Sequence, residues 1–210
     1  MRHTASGGGD PPADDQTHGV TTMSDAELIA ASHVQHELFA LIYDRHAPAL
    51  YRYAARRLGH DVAEDVVSET MLAAFRVRRR YDTTRSDARP WLYGILTREI
   101  SQRRRVERTR YRALAKVEPS AWFEHEPADE VAAAIAAQAV RGPLMEALAS
   151  LAKRDRDVLL LSAWADLSYQ EIADALNIPV GTVGSRLNRA RQRIRAVAPD
   201  LGISHPSEEQ

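Results

Sequence analysis

The sequence predicts an all-α protein of two small helical domains joined by a flexible linker, the second domain containing a helix-turn-helix. Three observations carry that expectation. Hydrophobic residues make up 44% of the 210-residue chain, and alanine, the strongest helix former and a residue that buries little surface, is the commonest of them. Apolar positions recur at three- and four-residue spacing through the first half of the chain and again near its end, which is the period of a buried helix face. Between these stretches the periodicity lapses into a segment holding Glu118, Pro119, Glu124, Glu126, Pro127, Asp129 and Glu130, a composition typical of a tether.

Taken in order, residues 1–22 are rich in Gly, Pro, Asp and Thr and are expected to be a disordered tail. Ser24 with Glu27 three residues on forms a capping-box start for a helix, so Met23 is as reasonable a translation start as Met1. Phe39, Ile42, Tyr43, Leu50, Tyr53, Ala54 and Leu58 then give one apolar face; Pro48 is expected to bend or interrupt it and Gly59 to end it. Asp61 with Glu64 is expected to cap the next helix, whose Val62, Val66, Val67, Met71, Ala74 and Phe75 form a broad buried stripe. The stretch YDTTRSDAR (residues 81–89) is polar and rich in turn formers. Pro90 opens a helix through Trp91, Leu92, Ile95, Leu96 and Ile100. Residues 23–105 thus form the first domain, 106–135 the linker, 136–198 the second domain and 199–210 a C-terminal tail. In the second domain Gly142 and Pro143 reset the chain before Leu144, Leu148 and Leu151, and Asp155 is expected to cap a helix carrying Val158, Leu159, Leu161 and Trp164.

The most specific stretch is LSYQEIADALNIPVGTVGSRLNRARQRIR (residues 167–195), which reads as helix, tight turn, helix. Ser168 and Glu171 make a capping box, Ile172, Ala173 and Leu176 face inward, Asn177 suits a left-handed turn, and Pro179 precedes the second helix. Val183 and Leu187 face the core at four-residue spacing. The other face keeps Ser185, Asn188, Arg189 and Arg193, flanked by Arg186, Arg191 and Arg195, with no acid between Ala175 and Pro199. Such a helix suits phosphates and base edges. A solvated arginine-rich helix is the plainer alternative, and the cap, turn and small residues at the required spacings argue against it.

Composition excludes several function classes. With no cysteine there is no disulfide framework, thiolate zinc site or cysteine nucleophile, and a reducing cytoplasm is the expected setting. A net charge of -1, from 28 basic and 29 acidic residues, excludes a uniformly basic nucleic-acid binder but not one with segregated charge. No stretch approaches the ~18 continuous apolar residues of a membrane span, and the first residues lack the apolar middle of a signal peptide. His33 and His36 lack a coherent third ligand, so no metal site is expected. No phosphate-cradling loop, nucleophile elbow or carboxylate pair is present, so neither cofactor nor catalytic residues are expected.

The 167–195 stretch resembles the promoter-reading helix-turn-helix of the extracytoplasmic-function sigma factors of bacterial RNA polymerase. FALIYDRHAPALYRYAARRLG, AEDVVSETMLAAF and RPWLYGILTREISQRRR are similar, in that order, to the family's core-binding and promoter-melting helices. The resemblance implies a sigma factor, not an enzyme, whose partners are core RNA polymerase (β′ coiled coil and β subunit), promoter DNA and, by family habit alone, an anti-sigma factor. It implies that Asp65 and Glu69 grip the β′ coiled coil, that residues 81–89 hold a flipped base, and that Tyr81, Arg85, Arg98, Arg103 and Arg104 serve the minus-ten element. Ser185, Arg186, Asn188, Arg189 and Arg193 would read the minus-thirty-five element. Trp91 and Tyr93, set in an apolar pattern, read as core aromatics rather than stacking platforms. Trp122 and Phe123 fall in the segment that would thread toward the polymerase active site. Two positions depart from the family pattern: Arg98 where asparagine is common, and Gly184 where a lysine or arginine commonly follows GTV. A conventional helix-turn-helix regulator with a helical partner-binding or ligand-binding domain is the alternative, and it leaves AEDVVSETMLAAF and RPWLYGILTREISQRRR without a role.

Overall fold

Interdigitated helices make up the computed structural model, which describes residues 23–116 and 142–197 and contains no strand among them. The expected N-terminal tail, the C-terminal tail and most of the expected linker, with Trp122 and Phe123, lie outside these residues. In the first domain α1 is Asp25–Ala31, α2 Phe39–Leu58, α3 His60–Val77, α4 Arg89–Gln102 and α5 Arg104–Leu114. Residues 142–150 are helical, and α6 (Lys153–Trp164), α7 (Tyr169–Leu176) and α8 (Val180–Val197) complete the second domain. No helix among the described residues is long and apolar enough to cross a membrane.

Local chemistry sets most boundaries. Ser24 and Glu27 form the expected capping box on α1, with Glu27 Oε2 taking the Ser24 N–H at 2.7 Å. Gly59 ends α2 and begins α3 at φ +98° and ψ 163°, a conformation open almost only to glycine. A single residue between two helices, lacking a side chain, leaves α3 without a side-chain cap, so Asp61 lies in its first turn instead of capping it. Pro48 sits inside α2 and does not interrupt it. The lost backbone hydrogen bond, worth ~3 kcal/mol or more in an isolated helix, is offset by burial on either side of it at Ala47 and Leu50. Asp155 is likewise not a cap: α6 begins at Lys153 with Ala152 as its N-cap, and Asp155 contributes from the first turn, where a carboxylate favours the helix dipole.

The first core lies between α2, α3 and α4, with α1 packed against α2. Val66, Val67, Met71 and Ala74 are buried as expected, whereas Tyr43 stands 46% exposed outside the buried arc of α2. Phe39 meets Phe75 edge-on at 5.4 Å and Tyr53 meets Tyr93 at 5.3 Å. Asp25 ties α1 to the rest. It accepts from Arg45 Nη1 at 2.5 Å, from the Ala88 N–H at 2.8 Å and pairs with His46 Nε2 at 2.7 Å. Burial by itself would raise its pKa, but these bonds win and hold it at about 2.

The stretch expected as linker starts as helix. Within α5, Glu107 and Tyr111 are buried, because Glu107 is the carboxylate claimed by two buried arginines, Arg57 and Arg156. The two domains pack against each other, α4 on α7 most extensively, and Tyr53 of α2 meets Trp164 of α6 at 6.5 Å.

Candidate nucleic-acid interface

In the second domain α7 and α8 form the helix-turn-helix. Glu171 Oε2 accepts the Ser168 N–H at 2.8 Å, completing the capping box. Asn177 adopts φ 51° and ψ 56°, the left-handed conformation that lets an asparagine turn the chain between two helices. Val183, Leu187, Ala190 and Ile194 are buried and seat α8 on α6 and α7. Ser185, Asn188, Arg189 and Arg193 are exposed on the opposite face, with Arg186 half-buried beside them. Ser185 Oγ donates to the Thr182 carbonyl at 3.1 Å and Arg189 Nε lies 3.2 Å from Asp155 Oδ2. The five residues singled out on this helix therefore share one cationic surface, the geometry needed to enter a major groove.

The residues singled out in the first domain are dispersed. Tyr81 is buried, packs on Trp91 at 5.0 Å, and its hydroxyl donates to the Arg85 carbonyl at 2.6 Å. Burial, followed by Asp25 and Asp87, pushes its phenol up to about 12, so it stays protonated and braces the loop from within. Arg85 and Arg98 are exposed and line a cleft of about 970 Å³ with Trp91. Arg98 donates to the Gly94 carbonyl at 3.1 Å along its own helix, and Arg85 pairs with Asp174 of α7. Beyond the end of α4 the next two cations diverge. Arg103 turns to Glu69 on α3, and Arg104 joins Arg154, Arg186 and Arg189 around a second cleft. Tyr93 is buried against Tyr53, while Trp91 is only half-buried and faces the first cleft. Asp65 and Glu69 are exposed one turn apart on α3, and Leu72, an apolar residue the sequence pattern did not single out, is 49% exposed on the next turn.

Comparison with known proteins assigns both domains. Residues 42–110 match the family described as Sigma-70 region 2, and residues 141–194 match Sigma-70, region 4. Over 180 residues the chain is 34% identical to the ECF RNA polymerase sigma factor SigL of Mycobacterium tuberculosis, covering 85% of this chain and 99% of that protein. The chain belongs to the ECF RNA polymerase sigma factors. Similarity to SigW of Bacillus subtilis is 30% over 171 residues, spanning 79% of this chain and 91% of SigW. Similarity to the RNA polymerase sigma-E factor of Streptomyces coelicolor is 36% over 155 residues, spanning 73% and 82%. A solved structure of CnrH in complex with the cytosolic domain of CnrY superposes with a TM-score of 0.56 at 26% identity, over 82% of this chain and 95% of that one.

What sequence patterning missed in this sigma factor is the contact between its domains. Arg57 of α2 donates to Glu107 at 2.6 Å, to Asp157 of α6 at 2.9 Å and to the Tyr53 hydroxyl at 3.0 Å. Arg156 of α6 donates to the other Glu107 oxygen at 2.8 Å and to the Leu151 carbonyl at 2.9 Å. All four charged groups are at most 3% exposed at the side chain. Burial opposes the charge on Arg57, but Tyr53, Glu107 and Asp157 outweigh it and its pKa stands above the ordinary value. At Arg156 burial prevails and the shift is downward; both guanidinium groups keep their proton. The available signal was Glu107 itself, one of only two acids in the basic run 98–116. Gly94 is the second missed residue. A Cβ there would lie 3.1 Å from the carbonyl carbon of Ala175 and closer still to its oxygen, which explains a glycine in mid-helix despite its ~1 kcal/mol cost relative to alanine.

Proposed function

We propose that this ECF sigma factor binds core RNA polymerase, places it on a class of promoters and assists duplex opening, leaving phosphoryl transfer to the polymerase. The observation that carries this reading is the cationic face of α8 behind a capped, asparagine-turned helix pair, in a chain that also matches Sigma-70 region 2. In this reading Ser185, Arg186, Asn188, Arg189 and Arg193 contact the minus-thirty-five element in the major groove. Arg189 supplies a bidentate guanine or phosphate contact. The cleft lined by Arg85, Trp91 and Arg98 receives the unstacked non-template strand of the minus-ten element, with Arg103 and Arg104 along the backbone track and Tyr81 bracing the loop from inside. Asp65 and Glu69, with Leu72 beside them, meet the β′ coiled coil, where acids and facing arginines pair across the contact. The β subunit lies along the segment joining the domains. The cytoplasm is the compartment of this reaction, and an anti-sigma factor is a candidate partner, CnrH having been solved with the cytosolic domain of CnrY.

Run-off transcription tests this reading. Purified protein added to core polymerase on templates carrying its own upstream region should yield a promoter-dependent transcript, and the absence of any such transcript across a fragment library would overturn it. A simple repressor would bind duplex DNA without core polymerase and produce none.

A further inference from the structure

We propose that the cleft between α5, α6 and the flank of α8 is a binding site for a short run of phosphoanhydride-linked phosphates, the group that inorganic polyphosphate and nucleoside polyphosphates share. The site itself stands on the residues that line it. Its competition with promoter DNA, argued below, rests on the promoter-binding reading above.

Charge is the first observation. The cleft encloses about 460 Å³ and is lined by Arg104, Lys153, Arg154, Arg186 and Arg189 against the single carboxylate of Asp155. Arg189 Nε lies 3.2 Å from Asp155 Oδ2, and Lys153 Nζ donates to Asp157 at 2.9 Å. Arg104, Arg154 and Arg186 make no hydrogen bond or ion pair among the described residues. Cations gathered around so small a space repel one another and focus a positive potential on it. An anion of several charges relieves the repulsion, and Asp155 alone does not.

Shape is the second observation. The volume falls in the range of small-ligand sites, and its walls come from three helices. Arg104 opens α5, residues 152–155 make the start of α6, and Arg186 and Arg189 stand one turn apart on α8. Because α6 starts there with no side-chain cap, its first N–H groups add donors and the positive end of the helix dipole to the same wall.

The side-chain chemistry selects phosphate. A guanidinium presents a planar fork that meets phosphate oxygens two at a time, and four arginines on separate walls suit successive phosphate groups better than one isolated anion. Asp155 repels such a chain, but Arg189 already holds that carboxylate. The occupant is not a base edge, since Ser185, Asn188 and Arg193 on the groove-reading face of α8 do not line the cleft. Arg154 and Lys153 have no part in the promoter reading. A phosphate chain seated here engages Arg186 and Arg189, which the minus-thirty-five duplex needs, and so competes with that duplex.

Titration calorimetry on the full chain tests the site, with sodium tripolyphosphate as the probe in metal-free buffer of fixed ionic strength. Tripolyphosphate should bind one per chain, roughly tenfold or more tighter than orthophosphate, as several charge-assisted contacts replace one. Arg154→Ala, at an exposed position, should weaken tripolyphosphate binding roughly fivefold and leave duplex binding unchanged. Arg193→Ala removes the same charge outside the cleft and should weaken duplex binding alone. An ATP arm separates the two sources: tighter binding of ATP than of tripolyphosphate assigns the site to nucleoside polyphosphates, and the reverse assigns it to inorganic polyphosphate. Tripolyphosphate should also displace a labelled minus-thirty-five duplex, read by fluorescence anisotropy. Absence of saturable tripolyphosphate binding overturns the site, as does equal loss of it in the Arg154 and Arg193 variants, which would mark diffuse charge. Binding of both ligands without displacement overturns the competition. A chain that binds tripolyphosphate as described and no promoter duplex retires the promoter reading and leaves the phosphate site standing.

Discussion

Arg103 Nη2 lies 2.8 Å from Glu69 Oε2, binding the C-terminal end of α4 to the acidic outer face of α3. One residue belongs to the proposed DNA track and the other to the proposed polymerase contact, so the pair joins the two surfaces. Both partners are partly exposed, and such a pair is worth ~0–1 kcal/mol. Reversing Asp65 and Glu69 to lysine should therefore leave the melting temperature within a few degrees of the parent while lowering affinity for core polymerase at least tenfold. Arg103→Ala should leave core affinity intact. Equal losses of core affinity in the two variants, measured by native electrophoresis or fluorescence anisotropy, would show that the acidic face is not the polymerase contact.

Among the described residues Arg189 pairs with Asp155 alone, from a 63% exposed side chain, so removing it costs the fold little. Arg189→Ala should weaken binding of a minus-thirty-five duplex by ~1–3 kcal/mol if the contact is a bidentate base contact, with core affinity unchanged. Titrating salt distinguishes the chemistry. A lost phosphate contact flattens the log–log salt slope by ~1 and weakens all sequences alike, whereas a lost base contact relaxes one position of the site.

Gly184 and Gly94 are both mid-helix glycines, and the structure predicts opposite outcomes for them. A Cβ at Gly184 meets nothing within 4 Å. Gly184→Ala should raise stability by ~1 kcal/mol through helix propensity alone, and Gly184→Arg should steepen the salt dependence of duplex binding by about one phosphate. If Gly184→Arg leaves that slope unchanged, α8 does not face the backbone at this turn.

The contrast between these glycines shows how far the sequence could be read. Helix faces, the two capping boxes, the Asn177 turn and the exposed face of α8 followed from local rules, since each is set by neighbours within four residues. Interdomain chemistry did not. Arg57, Arg156 and Asp157 stand among other charged residues that local pattern assigns to solvent, and their burial depends on a partner 49 to 100 positions away. Tyr81 was singled out for DNA for the same reason it proved internal: an aromatic in a polar loop shows nothing of its direction until Trp91 packs on it. Asp155 misled as a cap, and Pro48 leaves α2 unbroken, because tertiary burial outweighs local capping and helix-breaking preferences.

Glu107 accepts from both Arg57 and Arg156 while 3% exposed. Glu107→Ala would leave two guanidinium groups buried with one carboxylate between them, Asp157, and a comparable loss of a buried partner costs ~3–5 kcal/mol. Chemical denaturation should show a loss of that order, with Glu107→Gln, which keeps the shape and some hydrogen bonding, less affected. A loss below about 1 kcal/mol would mean that the arginines rehydrate in place, and that the network does not hold the domains together.

Asp25 supplies a pH test whose sign is fixed by its downward shift. An aspartate held at about 2 in the folded protein against an ordinary 3.8 binds fewer protons folded than unfolded between those values. Its stabilisation is therefore complete above about pH 4, declines as pH falls through that window, and is absent below about 2. The bonds responsible run to His46, to the Ala88 N–H and to Arg45, so what is lost is the anchorage of α1 to α2 and to the loop before α4. Asp25→Asn should be less stable than the parent at pH 7, and the gap should narrow steadily from pH 4 downward. Urea unfolding curves at half-unit pH steps would measure it. A gap that stays constant down to pH 2 would mean that packing of the side chain, not its charge, anchors the helix.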